Sequence, residues 1–198
     1  MKKIFVLAIF FSLLSASIGY SQQESYMSVQ YSMGIASGDM GSFISAPSFR
    51  GALIEYRGAV KDNLLVGVDV GWNVFYEKKD YDSYSRGTEA LSGVQYRYQN
   101  EIPILVSADY FLSVENPLKP YVGLGIGTMY SERSVDMGQF RWKQTPWHFA
   151  IKPEVGLLYE MSFSTSFKLA AKYYSGFAAG DLDTQGYFSV SAGFAFIL

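Results

Sequence analysis

The sequence predicts an all-β chain, an eight-stranded antiparallel up-and-down transmembrane β-barrel. Three observations carry that reading. Apolar and polar residues alternate with period two through almost all of the chain beyond residue 21. The stretches that interrupt this alternation are by turns short and long. Aromatic residues reach 17% while charged residues stop at 17%, against about 25% charge in an ordinary soluble domain.

The chain opens with Lys2 and Lys3, then an apolar run from Ile4 to Leu14 broken only by Ser12. Small residues follow at spacing two, either Ser17 and Gly19 or Gly19 and Ser21. This is the layout of a cleaved secretory signal peptide over residues 1–21, with one barrel domain over residues 22–198. A retained helical anchor would need about 20 apolar residues. Cleavage leaves 14 basic against 18 acidic residues, so the net charge moves from −2 to −4. That balance argues against nucleic acid as a partner. The absence of Cys excludes disulfides, thiol catalysis and thiolate metal sites. No later apolar run is long enough for a spanning helix, so any membrane crossing falls to strands closed into a barrel.

The strands follow in order. The first carries Met27, Val29, Tyr31, Met33 and Ile35 on its apolar face, and the second Ala52, Ile54 and Tyr56. In the third, Leu64, Val66, Val68, Val70, Trp72 and Val74 alternate with Leu65, Gly67, Asp69, Gly71, Asn73 and Phe75. The fourth presents Tyr98, Ile102, Ile104, Val106, Ala108 and Tyr110; the fifth Val122, Leu124, Ile126 and Tyr130. The sixth presents Phe149, Ile151, Val155, Leu157 and Tyr159; the seventh Phe167, Leu169, Ala171 and Tyr173. The eighth closes with Phe188, Val190, Ala192, Phe194, Phe196 and Leu198. Short turns fall at 61–63, 113–119 and 160–164, and long polar loops at 37–48, 78–93, 131–146 and 175–186. This is the asymmetry of membrane barrels.

Alternation alone does not tell a membrane barrel from a soluble one, but three features place the apolar face outside. An eight-stranded interior is just wide enough for side chains to fill, and the polar face is the one with little bulk, carrying Gly67, Gly71, Gly123, Gly125, Gly127 and Gly156. Aromatics gather at both strand ends as two expected girdles, Tyr56, Tyr110, Tyr159 and Phe196 at one end and Tyr76, Tyr98, Tyr130 and Tyr187 at the other. The polar face also holds Glu55, Arg57, Asp69, Asp109, Lys152, Glu154, Lys168 and Lys172, four acids and four bases. Facing one another across a narrow lumen, they must pair.

Several stretches resemble the outer-membrane β-barrel family of OmpA-like and OmpX-like small barrels. They are Tyr56-Arg57 before the Lys61-Asp62-Asn63 turn, Leu64 to Trp72, and Ile102-Pro103-Ile104-Leu105 leading to Tyr110-Phe111. Lys119-Pro120-Tyr121-Val122-Gly123-Leu124-Gly125, Lys152-Pro153-Glu154-Val155-Gly156 and the closing strand complete the set. The resemblance implies an eight-stranded barrel in the bacterial outer membrane, and the closed-barrel reading expects a monomer. It would be inserted by the outer-membrane assembly machinery and would contact outer-membrane lipids and lipopolysaccharide. The last residue, Leu198, departs from the aromatic end such strands usually carry. The family is functionally diverse and does not name a role.

The residues themselves suggest a structural or surface-interaction protein with a closed lumen and no cofactor. A small passive channel of the OmpW-like kind is the alternative, and an outer-membrane lipid hydrolase the third reading. The hydrolase would need His148, the single histidine, with Ser131 or Ser134; no Gly-x-Ser-x-Gly element accompanies them, and no enzyme is expected. Acidic stretches at Glu77 to Asp82 and Asp181 to Asp183 lack EF-hand spacing. Tyr81, Tyr84, Phe140, Arg141, Trp142 and Trp147 lie in long loops and form a candidate interaction surface.

Overall fold

The computed structural model describes residues 25–86, 89–180 and 182–198, and their side chains except those of 84–91. The expected leader, the Tyr84 side chain and Asp181 lie outside the described residues. The strands are β1 (Ser25–Ser37), β2 (Gly51–Lys61), β3 (Leu64–Arg86), β4 (Glu89–Phe111), β5 (Leu118–Met137), β6 (Phe140–Gln144), β7 (Trp147–Ser162), β8 (Thr165–Gly176) and β9 (Gln185–Ile197). All pairings are antiparallel. The order β4-β3-β2-β1-β9-β8-β7-β5 returns on itself through β4–β5, closing an eight-stranded barrel. Closure satisfies every strand edge at membrane depth, which lipid requires. The strand outside this closed set, β6, continues the path of β7 above a break at Thr145-Pro146; among the described residues it pairs with β5 alone.

The wall is uneven. β3 and β4 have 23 residues each and stay paired up to Arg86↔Glu89, and β5 rises with them to pair with β6. β1, β2, β8 and β9 stop at 11 to 13 residues. The expected polar loops at 78–93 and 131–146 are therefore largely ladder, forming a raised four-stranded wall. Cross-strand pairs hold it: the Ser83 and Ser92 hydroxyls meet at 2.7 Å, the Tyr76 and Tyr98 rings at 5.0 Å, and Arg141 Nη2 and Asp136 Oδ2 at 2.5 Å. Above Val74, β3 has no strand on its outer side among the described residues, and neither has β6. These two free edges carry Lys78 and Lys79, and Arg141 and Lys143.

The loop after β1 turns into the mouth through a short helix, α1 (Gly38–Phe43), entered at Gly38 with φ 57°. Met40 and Ile44 are fully buried beneath it. The Phe43 ring lies between the guanidinium groups of Arg97 and Arg133, at 5.0 and 4.2 Å. Arg97 also donates to the Phe43 carbonyl at 2.8 Å. Ser45 donates from its amide and hydroxyl to Glu77 at 2.7 and 3.0 Å, tying the loop to β3.

The apolar face of every barrel strand points outward, with residues such as Ile54, Trp72, Val106, Leu124 and Phe194 roughly half exposed. Near the short turns, Tyr56, Tyr110, Tyr159 and Phe196 stand about half exposed on the outer face, where one girdle is expected. At the other end, Tyr76 and Tyr98 touch, and Tyr130 meets Trp147 at 5.1 Å. Tyr187 is not in this girdle. It shares the inward parity of Ser189 and Ser191, is 0% exposed, and stacks on Tyr174 at 4.6 Å inside the barrel. Its neighbour Phe188 takes the outward place against Tyr173.

Candidate functional site

The eight charges of the polar face meet in one buried network. Arg57 on β2 contacts Asp69, donates from Nε to Asp109 at 2.9 Å, and lies 3.9 Å from Glu55. Lys152 on β7 contacts Asp69 and lies 2.5 Å from Glu154. Lys168 and Lys172 on β8 reach Glu55 at 2.6 and 2.5 Å; the first also meets Asp109 at 3.3 Å and the second Glu154 at 3.6 Å. Each residue thus faces at least two groups of opposite sign. All eight are essentially excluded from solvent, so no member could lose its partners without leaving a buried charge.

Neutral groups complete the network, and sequence reasoning did not single them out. Ser28 and Gln30 donate to Glu55 Oε2 at 3.0 and 2.7 Å, Ser107 donates to Asp69 at 2.6 Å, and Ser191 donates to Gln30 at 2.8 Å. The Lys168 ammonium lies 4.7 Å from the centre of the Tyr121 ring. Their inward parity was the available signal. Space for so many groups comes from glycine: a Cβ on Gly123 would meet Asp109 Oδ1 and Glu154 Cγ at 2.7 Å, and one on Gly125 would meet the Ser107 hydroxyl at 2.5 Å.

Apolar clusters lie on both sides of this network. Towards the short turns sit Tyr26, Leu65, Phe111, Tyr121, Leu158, Ala170 and Ala195. Towards the long loops sit Phe75, Leu105, Met129, Ala150, Tyr174 and Tyr187, with Met40 and Ile44 of the mouth loop packed on them. A second polar group stands near that mouth. Glu101 accepts from Gln99 and Ser131 at 2.6 Å each, and Gln185 accepts from Gln99 and Arg133 at 2.7 and 2.9 Å.

The carboxylates of Glu55, Asp69 and Glu154 come close enough to hold a metal ion. The ammonium groups of Lys152, Lys168 and Lys172 and the Arg57 guanidinium already fill that role. The acidic stretch at Glu77 is also engaged. Its carboxylate accepts from Ser45 and from Lys79 at 2.6 Å, and Asp82 accepts from the Ser83 amide at 2.7 Å. His148 is fully buried, with Nδ1 donating to the Phe177 carbonyl at 2.6 Å, while the Ser131 hydroxyl is bonded to Glu101. The loop aromatics make separate ring contacts. Phe140 and Trp142 stack at 6.3 Å on β6, Tyr81 stands exposed on β3, and Trp147 belongs with Tyr130.

No model of a known protein family matches the sequence, and no curated protein matches it. Solved structures do. The chain is similar to Neisserial surface protein A, at 18% identity and TM-score 0.57, over 87% of this chain and 96% of that one. It is also similar to Ail, the attachment invasion locus protein of Yersinia pestis, solved with the heparin analogue sucrose octasulfate. That match has 12% identity and TM-score 0.56, over 90% of this chain and 100% of Ail. At such identities the likeness is one of fold: the chain has the fold of small outer-membrane β-barrels.

Proposed function

We propose that this chain is an integral outer-membrane protein whose barrel is a closed pedestal and whose raised wall is a surface for interaction outside the cell. The observation that carries the reading is the buried network of four acids and four bases between two apolar clusters. A passive channel requires a continuous wet path, and ions do not cross two packed apolar layers without one. With the lumen filled, what differs from a minimal barrel is the tall side built from β3, β4, β5 and β6. Ail, of the same fold, has been solved in complex with the heparin analogue sucrose octasulfate, which supports a binding role for a fold of this size.

The test is planar-bilayer recording of the refolded mature chain. The expected result is stable insertion without discrete current steps. A reproducible unitary conductance would overturn the sealed lumen and hand the lead to the channel reading. A companion variant with residues 78–93 replaced by a two-residue turn should still form a barrel. If it bound cells as the parent does, the wall would not be the interaction surface.

A further inference from the structure

His148 is fully buried on β7, and its Nδ1 lies 2.6 Å from the Phe177 carbonyl oxygen. A carbonyl only accepts, so Nδ1 carries the proton and Nε2 carries the lone pair in the neutral ring. Among the described residues Nε2 has no hydrogen-bond partner, although it is sealed from solvent. A backbone carbonyl that fixes the tautomer and aims the other nitrogen is the usual support of a metal-binding histidine.

A soft side chain stands beside the ring. Met129 on β5 pairs directly with His148 across the sheet and is also fully buried. Gly176 leaves the space in which both side chains converge: a Cβ there would meet the Met129 methyl at 2.6 Å and the His148 Cβ at 3.1 Å. Met40 of α1 is buried in the same cluster as Met129, beside Phe75, Leu105, Ala150 and Tyr174. Thioethers and an imidazole select copper(I) over harder ions. Neutral ligands also favour a single charge, because desolvation rises steeply with charge. Methionine, with three rotatable bonds, swings its sulfur onto an ion at small cost. We propose that His148 Nε2 and the Met129 sulfur bind copper(I) in the barrel interior.

The test uses the refolded mature barrel in detergent, labelled with ¹⁵N in its imidazole and titrated with silver(I), a redox-inert stand-in, and with copper(I) under anaerobic ascorbate. A single histidine gives a single pair of ring signals. The expected result is one ion per barrel and a large shift confined to Nε2, with Nδ1 still protonated. Met129→Leu, close to isosteric, should weaken the binding, and Met161→Leu, on the exposed outer face, should not. His148→Gln should abolish it; should that variant not fold, the Nε2 shift in the parent decides. An unmoved Nε2 signal, a proton found on Nε2, or equal binding by Met129→Leu and the parent would each overturn the site.

Discussion

Glu55→Gln is the sharpest test of the inner network, because Glu55 meets more cations than any other acid in it. Its Oε1 takes Lys172 at 2.5 Å and Arg57 at 3.9 Å, and its Oε2 takes Lys168 at 2.6 Å. The amide has the same shape, so packing is kept and only charge is lost. One of its two positions now presents N–H groups to an ammonium or to the Gln30 amide. Lys168 keeps Asp109 at 3.3 Å and Lys172 keeps Glu154 at 3.6 Å, both longer contacts. Four buried bases then face three acids. Removing one partner of a buried pair costs about 3–5 kcal/mol. With a urea slope of about 2 kcal/mol per molar, the unfolding midpoint falls by about 2 M. The assay is reversible unfolding in detergent micelles, followed by tryptophan fluorescence. Adding Lys172→Met restores neutrality and should recover part of the loss. A midpoint shift below about 0.5 M, or a double variant weaker than the sum of the two singles, would refute the claim that these charges are mutually dependent.

Three further outcomes are expected. Gly123→Ala pushes a methyl into Asp109 and Glu154 and should destabilise the barrel by about 1–3 kcal/mol, read as a lower temperature at which the compact band on a detergent gel gives way to the unfolded one. Burial tends to raise the Glu77 carboxyl, but hydrogen bonds from Lys79 and Ser45 outweigh it and hold it below the usual carboxylate range; the tie from the mouth loop to β3 is thus complete above about pH 4.3 and is lost as pH falls below it. Hydrogen exchange at the Ser45 amide should accelerate only in that acidic window, and protection that is flat with pH would count against the tie. Phe43→Ala removes the ring between Arg97 and Arg133 and should free α1, raising exchange at Ile44 while leaving the bilayer recording silent, since the deeper layers stay packed.

The barrel was legible because lipid and lumen impose opposite chemistry on adjacent residues. Leu64 to Trp72 shows this plainly, with Asp69 inside and Val68 and Val70 outside. The raised wall was not legible. Beyond the barrel, Asp80 to Ser83 are exposed whichever way they point, so the period-two signal fades while the backbone ladder continues. Tyr187 was misplaced because an aromatic at a strand end reads as girdle, although the parity it shares with Ser189 pointed inward. The charged lumen was visible as an equal count of inward acids and bases. Which of them meet was not: Lys168 and Glu55 are 113 positions apart, brought together by the stagger of the closed sheet. His148 Nε2 became notable only once the Phe177 carbonyl had fixed the other nitrogen.

The free edges of the wall bear on how such molecules share a crowded bilayer. With two copies upright side by side, the down-running β6 of one would face the up-running β3 of the next. Nothing in backbone direction forbids them from zipping together. The side chains do. Lys78 and Lys79 on β3 and Arg141 and Lys143 on β6 make both free edges cationic, so docking two copies edge to edge would bring like charges together. The wall can therefore be tall and open-sided, and neighbours can jostle past one another at high density without growing into a continuous sheet.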